Sequence, residues 1–106
     1  MLPKKNKLNR EAFDGVWKEG GRIHSPLFTF IYKKSADVGH YSAVISKKVA
    51  KTAVLRNRLR RLIYKTIDFV GGRGKPISGV FILKPEAKTT SLENLSENIS
   101  KTIKNL

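Results

Sequence analysis

Between residues 56 and 61 the chain reads Arg-Asn-Arg-Leu-Arg-Arg, which places four arginines in six positions. A guanidinium is planar and presents its N–H donors as a fork that meets two phosphate oxygens at once, which a lysine ammonium cannot do. Asn57 adds a group that both donates and accepts. Lys47, Lys48 and Lys51 precede this cluster and Lys65 follows it, and no acidic residue lies between Asp37 and Asp68. An ordinary wet helix face mixes signs, because opposite charges three or four residues apart stabilise a helix and like charges weaken it. This single-sign block therefore reads as a surface for a polyanion. The chain as a whole agrees, with 22 Lys and Arg against 8 Asp and Glu for a formal charge of +14 over 106 residues. Such a field draws in polyanions and speeds encounter with them, without distinguishing RNA, DNA and anionic membrane.

A second set of residues is aromatic. Phe13 and Trp17 lie one helical turn apart, while Phe28, Phe30 and Tyr32 alternate along one side of a strand pattern. Such residues are more often core than contact. Beside a sheet face that helices leave uncovered, however, they form a stacking surface for unpaired bases. Phe13, Trp17, Phe28 and Phe30 are the candidates for that role. Chemistry carried by the protein itself is not expected. His24 and His40 are the only histidines, there is no cysteine, and the carboxylates are dispersed. A zinc site needs three or four converging ligands, and general acid–base work needs a positioned pair, so neither a metal site nor a catalytic residue is assigned. Gly71 to Pro76 invites comparison with a phosphate-binding loop, but Pro76 and a strand follow Lys75 where that motif requires Ser or Thr and a helix. It reads as a basic turn.

The elements that must position these groups follow from periodicity. Residues 1–8 form a basic arm, and Asn9 caps a first helix whose Ala12, Phe13, Val16 and Trp17 share a face before Gly20-Gly21 ends it. Leu8 and Phe13 have the placement of a hydrophobic staple. Arg22 to His24 is a short edge strand, and a period-two strand runs from Pro26 to Tyr32. A turn over Lys33 to Gly39 leads to a returning strand from His40 to Ser46. A second helix spans Thr52 to Val70, with Leu55, Leu59, Leu62, Thr66 and Val70 as its apolar stripe, widened by Ile63 and Ile67. Asn57, Arg60, Arg61 and Tyr64 point away from that stripe, and Arg56 and Arg58 flank it. Ser78 to Leu83 is a buried strand. Thr90 and Glu93 make a capping box for a last helix with Leu92, Leu95, Ile99 and Ile103 on one face. The expected fold is a single α/β domain over residues 1–106, a two-layer α+β sandwich with a mixed four-stranded sheet in the order α-β-β-β-α-β-α. No stretch approaches the 18 or so apolar residues of a membrane span, and no signal-peptide pattern is present, so a cytoplasmic protein with no membrane partner is expected. A strand, not a short helix and turn, precedes the basic helix, so DNA is not the expected partner.

Ser46-Lys47-Lys48 leading through seven residues (49–55) to Arg56-Asn57-Arg58-Leu59-Arg60-Arg61 resembles the signature of the bacterial ribonuclease P protein subunit. The segment from Leu8 to Gly20, with Phe13, Val16 and Trp17, is similar to that family's first helix, and the resemblance extends over nearly the whole chain. It implies a ribosomal-protein-like fold with a left-handed β-α-β crossover, against the general right-handed rule. It further implies a small partner of a large catalytic RNA, the complex removing the 5′ leader of precursor tRNA with Mg²⁺ held in the RNA–protein complex and no cofactor on the protein alone. On this resemblance Lys47, Lys48, Lys51, Arg56, Asn57, Arg58, Arg60 and Arg61 face the catalytic RNA. Phe13 and Trp17 take the leader-cleft positions between the first helix and the sheet. Lys7 and Tyr64 stand where the family often has arginine, and Lys65 where it often has Glu or Gln. The alternative is a structural, ribosomal-type RNA-binding protein, which would need no groove for a mobile strand.

Overall fold

The computed structural model describes residues 7–35 and 38–106. The arm expected over residues 1–8 therefore lies outside the described residues as far as residue 6, as do Ala36 and Asp37 of the turn expected between Lys33 and Gly39. Helix α1 (Arg10–Glu19) begins as its sequence dictates: the side-chain carbonyl oxygen of Asn9 accepts from the Ala12 amide at 2.8 Å, satisfying one of the free first-turn donors. It ends at Gly20, where a Cβ would meet the Val16 carbonyl, the Ile31 side chain and the Tyr32 carbonyl. Only glycine lets the helix end approach the sheet so closely.

The sheet contains β1 (Gly21–His24), β2 (Phe28–Lys34), β3 (His40–Val44) and β4 (Ile77–Leu83), in the spatial order β1-β2-β4-β3. β1 and β4 pair antiparallel with β2, while β3 runs parallel to β4. β3 therefore does not return alongside β2, as its position after the turn suggested, because β4 lies between them. β3 also stops two residues earlier than expected, where the Ser46 carbonyl opens a turn by accepting from the amides of Val49 and Ala50. Helix α2 (Ala53–Phe69) connects β3 to its parallel neighbour β4, forming the β-α-β unit to which the expected crossover handedness applies.

Helices α2 and α3 (Leu92–Lys104) pack together on one sheet face. Thr52 caps α2 through its hydroxyl, and Gly71 in the left-handed region (φ +79°) turns the chain away past its C-terminus. The cap of α3 is Ser91 rather than Thr90: the Ser91 hydroxyl accepts from the Asn94 amide at 3.0 Å, and the Thr90 hydroxyl accepts from the Asn94 side chain instead. The main core lies beneath these helices, with Phe28, Phe30, Tyr41 and Phe81 of the sheet meeting Ile63, Ile67, Leu95, Ile99 and Ile103, all fully buried. The buried stripe of α2 is rotated from the expected one. Tyr64 belongs to it, while Leu55 is nearly half exposed and Leu59 and Leu62 are only partly covered. The opposite sheet face holds a smaller cluster of Val16 from α1 with Ile31 and Val80, on which Leu8, Phe13, Val44 and Ile82 pack. Among the described residues no helix is long and apolar enough to cross a membrane.

Candidate nucleic-acid interface

The basic surface is built on α2 and the turn before it. Lys47, Lys48 and Lys51 are exposed on the connection over residues 46–52, and Asn57, Arg58 and Arg61 are exposed on the first turns of the helix. The remaining two arginines are partly covered and have internal partners. Arg56 Nη1 donates to the carbonyls of Ala50 at 3.0 Å and Lys51 at 3.1 Å, fastening the lysine-bearing connection to the helix. Arg60 Nη1 donates to Asn57 Oδ1 at 2.6 Å, which holds the amide on the helix surface. The fold thus brings together all eight expected residues on one stretch, but Arg56 positions its neighbours as well as presenting charge.

Tyr64 and Lys7 are the residues that sequence reasoning left out of this surface. With Asn57, Arg60 and Arg61 they line a cavity of about 260 Å³. Lys7 Nζ sits 5.1 Å from the centre of the Tyr64 ring, within cation–π reach. Burial pushes the Tyr64 phenol up from its ordinary pKa, opposed by hydrogen bonding at Ala43 and Ser42 and by the Arg60 charge. The ring is mostly buried, so the expectation that Tyr64 points outward is corrected; it lies against β3 at Ser42 and Ala43 while offering one side to the basic cavity. The Leu8 amide donates to the Tyr41 carbonyl on that same strand at 3.0 Å. The start of α1 is thereby fixed beside Arg60 and Arg61. A charge pattern along one helix could not have found this, because the partners come from three elements.

The second face lies along α1. Strand register places His24 opposite Thr29, Thr29 opposite Ile82 and Ile82 opposite Val44. This row stays half open, since Thr29, Val44 and Ile82 are partly exposed and His24 is exposed. The adjoining row, Ile31 and Val80, is sealed by Val16. On α1, successive residues turn by about 100°, so Glu19 falls on one flank of Val16 and Phe13 with Trp17 on the other. Glu19 reaches Lys33 at 2.7 Å, and that hydrogen bond, reinforced by the lysine charge, holds its carboxyl below the usual pKa. Phe13 and Trp17 consequently overhang the half-open row. Their rings stack at 5.8 Å with 21° between planes, Trp17 is 42% exposed, and the Arg22 guanidinium lies 5.9 Å from the Trp17 ring centre. Phe28 and Phe30 are not part of this face. Both are fully buried against Phe81 on the other side of the sheet, at 5.2 and 4.3 Å between ring centres, so the expectation that they contact a ligand is corrected. Their place is taken by the residues one step along the strands, Thr29 and its neighbours in the row.

A chain with this element order, a basic helix and a half-open row overhung by Phe13 and Trp17 is matched by the Ribonuclease P family over residues 2–106. The chain belongs to the ribonuclease P protein family. It is 34% identical over 101 residues to the ribonuclease P protein component of Nitratiruptor sp., covering 94% of this chain and 89% of that one. With the component of Microcystis aeruginosa the identity is 28% over 109 residues, covering 96% and 91%. Among solved structures the fold matches the ribonuclease P protein of Thermotoga maritima with a TM-score of 0.80 at 20% identity, covering 94% of this chain and 96% of that one. A ribonuclease P protein variant from Staphylococcus aureus matches with a TM-score of 0.81, also at 20% identity, covering 96% and 88%. The mixed sheet with its flanking helices is the family fold, and membership carries an RNA-binding role that assists an endonuclease.

Proposed function

We propose that the chain acts as one RNA-binding domain, the protein subunit of a cytoplasmic ribonuclease P that removes the 5′ leader of precursor tRNA. The exposed Lys47, Lys48, Lys51, Asn57, Arg58 and Arg61 meet phosphates of the catalytic RNA, with Arg56 and Arg60 holding that surface in shape. The leader, being single-stranded, lies along the row from His24 to Val44 and stacks an unpaired base on Trp17 and Phe13. The observation that carries this reading is the fixing of residues 7 and 8, just before α1, beside Tyr64 of α2 and Tyr41 of β3, which supports a leader path from the half-open row toward the basic surface. A protein that only scaffolds RNA has no use for such a path.

Among the described residues no group of three His, Cys, Asp or Glu comes together that could hold a metal ion. In this reading Mg²⁺ acts within the RNA–protein complex and the RNA carries the cleavage. The protein's part is to neutralise phosphate repulsion between two RNAs and to hold the leader. Reconstitution tests this. The purified protein is expected to leave precursor tRNA intact in Mg²⁺, and to stimulate cleavage at the mature 5′ end when a bacterial ribonuclease P RNA is added. Cleavage at that position by rigorously RNA-free protein, or no stimulation of the RNA, would overturn the reading.

A further inference from the structure

A depression at the N-terminal end of α2 adjoins the basic surface and shares Lys51 and Arg58 with it, but most of its lining lies outside both faces described above. Its volume is about 560 Å³. Val49, Ala50 and Ala87 form a buried floor, and Leu59 is partly covered beside them. Leu55 from the first turn of α2 and Leu92 from the first turn of α3 rise as walls, 46% and 44% exposed. Lys51, Arg58 and Lys88 stand at the rim, all exposed, and among the described residues no acidic side chain lines the space.

Three observations define what would fit there. The lining has no aromatic ring and only the Thr90 hydroxyl as an uncharged polar group. An unpaired base needs a stacking partner and hydrogen-bonding edges, so the space suits aliphatic side chains better than a nucleobase. The rim is wholly basic, and the first turn of α2 carries no acid to offset its positive dipole end, so negative charge is favoured around those aliphatic groups. Finally, the groove is already shaped, because Arg56 fastens the floor-bearing segment at Ala50 and Lys51 to the helix, and a preorganised groove spares the ordering cost of binding.

We propose that, in the protein free of its RNA, this groove docks an acidic amphipathic segment of a protein partner, its aliphatic side chains between Leu55 and Leu92 and its carboxylates on Lys88 and on Lys51 and Arg58, for which segment and RNA compete. This is the helix-in-groove mode, in which anchors recur at i, i+3 or i+4, and i+7. The probe is a fluorescent synthetic helix of glutamates with leucines at that spacing, compared by anisotropy with a companion of equal charge carrying serine at every leucine. The full chain is expected to bind the leucine peptide at least about tenfold more tightly than the serine peptide. The double substitution Leu55→Ser with Leu92→Ser should erase that preference while leaving the thermal melt in place, both side chains being half in solvent. Should the double variant unfold, Leu92→Glu provides a second one, placing a carboxylate at a helix start where it is tolerated but repels the peptide. Equal binding of the two peptides, or a preference that survives the substitutions, overturns the proposal. So does the result in which the double variant loses affinity for the ribonuclease P RNA and the leucine peptide gains nothing, since the groove then belongs to the RNA.

Discussion

The two faces of the sheet are built from the same strands and meet different fates. On the α2–α3 side, Phe30 lies opposite Phe81 and both are sealed, with Gly79 left bare so that the Phe30 ring can lie against the backbone. On the α1 side only Ile31 and Val80 are sealed, and the next row, Thr29, Ile82 and Val44, keeps part of its surface in water. The difference comes from how much helix each face receives: α2 and α3 together cover one side, and the ten residues of α1 cross the other. One face therefore carries stability and the other is free to carry a ligand, and adjacent residues of a strand fall into opposite roles.

Three variants sharpen or break that division. Phe30→Ala, on the sealed face, should cost about 3–5 kcal/mol of folding free energy, as truncation of a buried aromatic does; a chemical denaturation midpoint close to that of the parent would show that the core is not where we place it. Trp17→Ala, on the open face, should change stability little. Stacking on an unpaired base is worth about 1–3 kcal/mol, so the reconstituted complex should lose about tenfold more affinity for leader-bearing precursor than for mature tRNA. Equal losses for both ligands, with a lowered melting temperature, would make Trp17 packing and move the leader elsewhere. The smallest effect on the fold is expected at Arg58→Gln with Arg61→Gln, both exposed, within about 0.5 kcal/mol. Their signature is instead a shallower salt dependence of RNA binding, by roughly one unit of slope for each phosphate no longer neutralised; an unchanged slope would detach these arginines from the RNA. Arg56 is unsuited to that test because its removal also frees the connection over residues 47–51.

Local signals were legible in the sequence wherever one element decided the outcome. Asn9 caps α1 as expected, α2 starts within one residue of the expected Thr52, and the single-sign run over residues 47–61 lies on the surface as its lack of acids implied. The errors came where a distant strand decided. Alternation told that Phe28 and Phe30 share a side, but which side faces solvent depended on where α2 and α3 landed. Similarly, β3 follows β2 after a short connection, and nothing within either strand announces that β4 will separate them. Tyr64 sits on the polar side of an ideal helical wheel, yet β3 at Ser42 and Ala43 provides it with a burial site that the wheel cannot show. Thr90 and Ser91 are both competent caps, and one residue of register separated the expected from the observed start of α3.

The insertion of β4 between β2 and β3 also governs when the protein can come into being during synthesis. β2 and β3 have both been made by residue 44 and β2 can already pair with β1, but the strand that joins β2 to β3 comes from residues 77–83, so Phe30 waits for Phe81 and Tyr41 for Gly79. Pairings this distant along the chain are slow to close. The basic helix α2 emerges from the ribosome well before the strand that completes the floor beneath it, and a chain that ends short of Leu83 lacks the full ladder that joins its strands. Assembly is thus postponed until most of the polypeptide exists, and the positive helix is open to nearby RNA before the fold that will present it is complete.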